Sequence, residues 1–131
     1  MVNSNGGTTW DSSTPIGTAW EKANDPCPPG WRVPSLEELE ALVNSGSVWT
    51  SVSSMQGRWF GSGSNTVFLP AAGYRLSYGG ALFNAGSNGL YWSRTQDSGG
   101  NADRLDFSSG HAGVYGDWSK AYGLSCRCVA E

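Results

Sequence analysis

Charge is scarce in this chain: Asp, Glu, Lys and Arg make up only 15% of its 131 residues, and the 8 basic residues are never gathered into a patch. A run of phosphates would find nothing to neutralise it, which argues against a nucleic-acid partner. Long apolar runs are missing too, so no stretch reads as a membrane-spanning helix, and direct membrane insertion is not expected. The opening MVNSNGGTTW lacks the basic and apolar regions of a secretion signal. Histidine occurs once, at His111, beside three cysteines, a poor inventory for a metal. There is no phosphate-binding glycine fingerprint, no calcium loop and no cluster of carboxylates. No metal and no cofactor are therefore expected.

Glycine (19 residues) and tryptophan (7 residues) are plentiful instead, a composition that suggests a loop-rich fold pinned by large rings. The length suits one domain, residues 1–131, with about 1–9 as a polar lead-in. Cys126 and Cys128 on one strand would share a face with nearly parallel Cβ vectors, so a bond between them would be strained. One bridge from Cys27 to the last strand is expected, which implies an oxidising compartment. CRC lacks the CxxC spacing of redox helices and has no neighbouring His or Lys to stabilise a thiolate.

Local patterns predict an α+β chain with two short N-terminal helices followed by a twisted antiparallel sheet. In STPIGTAWEKAN, Thr14 can cap and Pro15 can take the first helical position, with Ile16, Ala19, Trp20 and Ala23 on one face. DPCPPGW is a rigid connector. In VPSLEELEALVNSG, Ser35 and Glu38 form a capping box ahead of Leu36, Leu39, Leu42 and Val43 at helical spacing. Glu37, Glu38 and Glu40 answer to the helix dipole rather than to acid/base chemistry. Strand-like runs follow, GRWFG, TVFLPAAGYR, GLYWSRT, ADRLDF and GLSCRCV, separated by long glycine-rich loops. In ADRLDF, Leu105 and Phe107 share one face while Arg104 and Asp106 take the other. Leu124, Cys126 and Cys128 share a face of the last strand.

The stretch GHAGVYGDWSKAYG has no periodic apolar face, so its rings cannot all be core. Trp10, Trp20, Trp31, Trp49, Trp59 and Trp92 lie within or beside apolar segments and read as core; Trp118 does not. The candidate binding residues are Arg94, Asp97, Ser98, Asp103, Arg104, Asp106, His111, Tyr115, Asp117, Trp118 and Tyr122, large rings among small polar neighbours as in binding loops. The other reading of the same residues is a solvated loop whose rings fold back on the sheet. No Ser/His/Asp set stands out, and His111 reads as a surface or ligand-contact residue; no catalytic residue is assigned.

The segments DPCPPGWRVPSLEELEAL, FLPAAGYR, GLYWSRT, NADRLDF and YGLSCRCV, in this order, resemble the Fibrobacter succinogenes major paralogous domain. That family is similar to the C-type-lectin-like domains that serve as variable proteins of diversity-generating retroelements. The likeness runs from about Trp10 to Val129. GWRVPSLEELEAL is also similar to a segment of the formylglycine-generating enzymes.

The resemblance implies a C-type-lectin-like fold and a disulfide between Cys27 and Cys128. It implies a non-enzymatic protein on a cell surface, outside the cell or on a phage particle, whose variable face binds a protein or glycan of another cell or particle. Adenine changes in an AAC codon yield Asp, Ser, Gly, Tyr, His, Arg or Cys, all present between Arg94 and Cys126, whereas Trp118 and Lys120 need another origin. Arg94 stands where the family has Ser, Lys120 where it has Arg, and Cys126 where it has an apolar residue. The Glu-Pro-Asn and Trp-Asn-Asp signatures of calcium-dependent sugar binding are absent. Two other functions go with the likeness: an undiversified surface or adhesin module, and a cysteine-dependent oxidase like the formylglycine-generating enzymes.

Overall fold

The structure, a computed structural model, describes residues 12, 20–96 and 99–131. It corrects the expected fold class. Among the described residues strand accounts for 49% and helix for 11%, so this part of the chain is mostly β, and its strands form several small antiparallel sheets rather than one twisted sheet behind two helices. In chain order the strands are β1 (Trp31–Arg32), β2 (Ser47–Val52), β3 (Met55–Ser62), β4 (Asn65–Pro70), β5 (Tyr74–Arg75), β6 (Leu82–Phe83), β7 (Gly89–Gln96), β8 (Asn101–Phe107), β9 (Ala112–Ser119) and β10 (Val129–Ala130). They pair as β1-β10, β2-β3-β4, β5-β6 and β7-β8-β9.

The one α-helix among the described residues, α1 (Leu36–Asn44), starts where the capping box predicts. Ser35 Oγ accepts from the Glu38 N–H at 3.3 Å, and Glu38 Oε2 accepts from the Ser35 N–H at 2.8 Å. Both Glu38 oxygens also accept from Arg32, each at 2.7 Å, and this guanidinium holds the Glu38 carboxyl down at about 2. The expected first helix lies mostly outside the described residues, and its visible end is a 3-10 turn at Lys22–Asn24. Helix cannot continue there, because Asp25 precedes Pro26 and takes an extended ψ of 125°.

Two further expectations change. The glycine-rich stretch read as an irregular loop contains β9, and GLSCRCV is strand only at its end, with Gly123 and Ser125 making isolated bridges to Arg75 and Tyr91. Cys27 and Cys128 are bonded, across 101 residues of sequence. Closing so long a loop removes roughly 4–5 kcal/mol of unfolded-chain entropy on the chain-entropy account. Cys126 is a free thiol, and burial pushes it up to about 12.

The core lies between the two three-stranded sheets and α1. Leu39, Phe60, Leu69, Ala71, Tyr91, Leu105 and Phe107 are buried together, with Leu42, Val43, Trp49 and Val114 packed against them. Phe107 meets Phe60 edge-on at 5.5 Å and stacks on Tyr91 at 6.0 Å, joining β8 to β3 and β7. Position 89 must be glycine, since a Cβ there would come within 2.0 Å of the Phe107 ring. The tryptophans expected in the core divide. Trp92 is buried, Trp20 and Trp49 are half-buried, Trp31 and Trp59 are 45% and 39% exposed, and Trp10 lies outside the described residues. No described helix is long and apolar enough to cross a membrane.

Candidate binding face

The alternation read in ADRLDF sorts the whole β7-β8-β9 sheet. Register pairs Tyr91 with Leu105 and Leu105 with Val114 on the core side, and Trp92 with Arg104 and Arg104 with Tyr115 on the other. Between Arg104↔Tyr115 and Ala102↔Trp118, β8 advances two residues while β9 advances three. Asp117 sits in this irregularity with φ 62°. Such a bulge re-aims its neighbours. The Gly116 carbonyl accepts from Arg104 Nη1 at 3.0 Å, and the Arg104 guanidinium lies 4.3 Å from the Trp118 ring centre.

Arg104 is therefore not the solvated residue that its type suggests: it is only 7% exposed. Its Nη2 donates to Asp106 Oδ2 at 3.4 Å, and its buried Nε finds no hydrogen-bond partner among the described residues. Desolvation lowers its pKa, opposed by the Asp106 carboxylate. The ring contact with Trp118 supplies part of the solvation that water would have given.

Rings extend the face in both directions. His111 meets Tyr115 at 6.4 Å, and Tyr115 lies 5.8 Å from the Arg104 guanidinium. On the other side Trp118 packs on Tyr122 at 4.5 Å and on Tyr74 at 5.0 Å, and Tyr74 reaches Phe83 at 6.2 Å. Tyr74 and Phe83 belong to the β5-β6 hairpin and were missed in the sequence reading. The backbone exchange between Arg75 and Gly123, at 2.8 and 3.0 Å, carries that hairpin to the end of the glycine-rich stretch. A pairing across so many residues leaves no local pattern.

Of the expected set, Arg104, Asp106, His111, Tyr115, Trp118 and Tyr122 are linked by direct contacts. Asp117 is exposed beside them. Asp103 alternates with Arg104 along β8 and so stands on the opposite side of that strand. Arg94 is tied to the start of α1: its N–H donates to the Pro34 carbonyl at 2.8 Å, and its charge helps to lower the Glu38 carboxyl. Asp97 and Ser98 lie outside the described residues.

A Ser/His/Asp contact chain is present although none stood out in sequence. Ser108 Oγ lies 2.9 Å from His111 Nδ1, and His111 Nε2 lies 3.3 Å from Asp106 Oδ1. Ser108 Oγ also accepts the Gly110 N–H at 3.2 Å. The chain orients His111 on the face. The Cys126 thiol, held protonated by burial, is a poor nucleophile at neutral pH. Among the described residues no group of three His, Cys, Asp or Glu could hold a metal ion. No protein-family model, curated protein or solved structure matches the chain.

Proposed function

We propose that this chain is a non-enzymatic ligand-binding protein, the variable protein of a diversity-generating retroelement, whose outer β7-β8-β9 face binds a protein or glycan on another cell or particle. One observation carries the reading: Tyr91, Leu105 and Phe107 hold the core from one side of the sheet, while Asp106, His111, Tyr115 and Asp117 stand on or beyond the other. Of these, His111, Tyr115 and Asp117 are exposed, so their side chains can change without touching the core. The five residues Asp106, His111, Tyr115, Asp117 and Tyr122 are all reachable by adenine changes in an AAC codon. Trp118 is not, and its packing between Arg104, Tyr74 and Tyr122 suits a fixed floor under variable neighbours. Exposed rings give contact area at low rotamer cost, while Asp106, Asp117 and Arg94 set selectivity by charge. A disulfide that closes most of the chain suits a location outside the cell or on a particle.

A displayed library that randomises His111, Tyr115, Asp117 and Tyr122 together tests the reading. Most members are expected to resist protease as the parent does, whereas an equal library at Phe60, Tyr91, Leu105 and Phe107 collapses. Equal losses in both libraries defeat it. A template repeat with adenine mismatches beside a reverse-transcriptase gene is the matching genomic expectation. The undiversified surface module is favoured by one observation, the burial of Arg104 in the middle of the face. A genome without the repeat supports that second reading.

A further inference from the structure

The β2-β3 hairpin turns on Ser53 and Ser54, both with positive φ (50° and 67°), the signature of a two-residue type I′ turn. Such a turn makes Val52 and Met55 a hydrogen-bonded pair, so Val48, Thr50 and Val52 direct their backbone groups to β3. Ser47, Trp49 and Ser51 then direct theirs to the opposite edge. The Gly61 N–H to Gly46 carbonyl bond of 3.0 Å continues the same alternation. Among the described residues no strand pairs with that edge.

Proteins normally guard such an edge with Lys, Pro or a bulge. β2 has none of these, and its register with β3 is unbroken. The far edge of this sheet, β4, ends on Pro70, which has no N–H to offer. From Ser47 to Pro70 the only charged residue is Arg58, whose guanidinium is spent on Ser47 Oγ and the carbonyls of Ser108 and Ser109. Two copies of a chain of net charge -3 can therefore meet here without like charges opposed. The outer face of the sheet presents Val48, Val52, Met55 and Trp59. Four partly covered side chains fall well below the ~800 Å² per partner of a standard interface. Stacking two faces buries too little, so the edge with its unused backbone groups is where contact adds most.

We infer that β2 pairs with β2 of a second copy, antiparallel about a two-fold axis at Thr50. Trp49 then lies opposite Ser51 of the second copy as a hydrogen-bonded pair, large against small. Val48 faces Val52 and Thr50 faces Thr50 on the outer surface. A register one residue earlier sets two Trp49 side chains opposite each other and loses the Val48–Val52 contacts. This inference stands apart from the proposed recognition face.

The register makes a sharp test in the full chain. Facing Thr50 residues form a non-hydrogen-bonded pair with Cα atoms about 4.5 Å apart, within disulfide reach, whereas Val48 residues of the two copies are remote. In a glutathione redox buffer Thr50→Cys is expected to give linked dimer about tenfold faster than Val48→Cys, although Val48 is 66% exposed and the easier target for random collision. Adding Ser51→Pro, which deletes an outward N–H, removes the difference. Sedimentation of the unaltered chain should show a dimer fraction that rises with concentration. Equal rates for the two cysteines, or a faster Val48→Cys, overturns the proposal even if Ser51→Pro fails to fold, as does a chain that stays monomeric at every concentration.

Discussion

The β7-β8-β9 and β2-β3-β4 sheets are built alike on the inside and oppositely on the outside. Each has three antiparallel strands and gives one face to the same core, through Tyr91, Leu105 and Phe107 in the first and Phe60 and Leu69 in the second. The outer face of the first carries Arg104, Asp106 and rings that contact one another; that of the second carries Val48, Met55 and Trp59 with no charge at all. Because side chains alternate across a strand, burial of one face fixes only every second residue, except where both faces are covered, as over Gly89–Ser93 of β7. The remaining half is open to chemistry, and the two sheets use that freedom differently.

The largest effect expected is at the joint between them. Phe107 is fully buried and touches both Phe60 and Tyr91, so Phe107→Ala should cost about 3–5 kcal/mol by loss of transfer energy and creation of a cavity. Tyr115→Ala, three strand positions away on the opposite face and 47% exposed, should change stability by about 0.5 kcal/mol or less. Urea titration of the two variants measures the contrast. A Tyr115→Ala loss approaching that of Phe107→Ala would return the ring to the core and remove the distinction between the faces.

A smaller effect sharpens the comparison at its one buried cation, which sits opposite the buried Trp92. Arg104 stands on the outer face yet is buried, so it shares features of both sides. Its bonds to Gly116 and Asp106 and its place over Trp118 oppose the desolvation of a cation whose Nε is unpartnered. These contributions nearly cancel, while the packing does not. Arg104→Ala should therefore cost about 2–3 kcal/mol, and Arg104→Met, which refills the volume without charge, should stay within about 1 kcal/mol of the parent. If Met is as damaging as Ala, the charge rather than the packing holds the face together.

These expectations also mark how far the sequence could be read. Ser35 with Glu38 and the alternation of ADRLDF are local signals, and both elements form where the pattern puts them. β9 was hidden because glycines and the Asp117 irregularity interrupt the period that identifies a strand. The division of the sheet into separate pieces was hidden as well, since β4 stops at Pro70 and the chain turns away before β5. Apolar neighbours in sequence put Trp31 and Trp59 inside, and the alternation of ADRLDF put Arg104 outside. Pairing partners decide these cases, and Tyr74 beside Trp118 shows that such partners come from remote parts of the chain.

The smallest effect tests what the two sheets share. α1 packs against β7, β8 and β9 and also against β3, so loosening its first turn should weaken both sheets together. Glu38 is the lever, because its carboxyl, held at about 2 by Arg32 and the Ser35 N–H, lies below its ordinary value near 4.3. A lowered carboxyl contributes stability that is whole above about pH 5, declines as pH falls below 4.3, and is gone below about 2. With the side chain 41% exposed, solvent screening reduces that contribution to about 1 kcal/mol. The difference in unfolding free energy between the parent and Glu38→Gln should thus be about 1 kcal/mol at pH 6 and shrink toward zero near pH 2. Tryptophan fluorescence and near-ultraviolet circular dichroism should report one common transition. A pH-independent difference removes the Arg32–Glu38 pair from the account, and separate transitions would mean that the two sheets do not rest on α1 together.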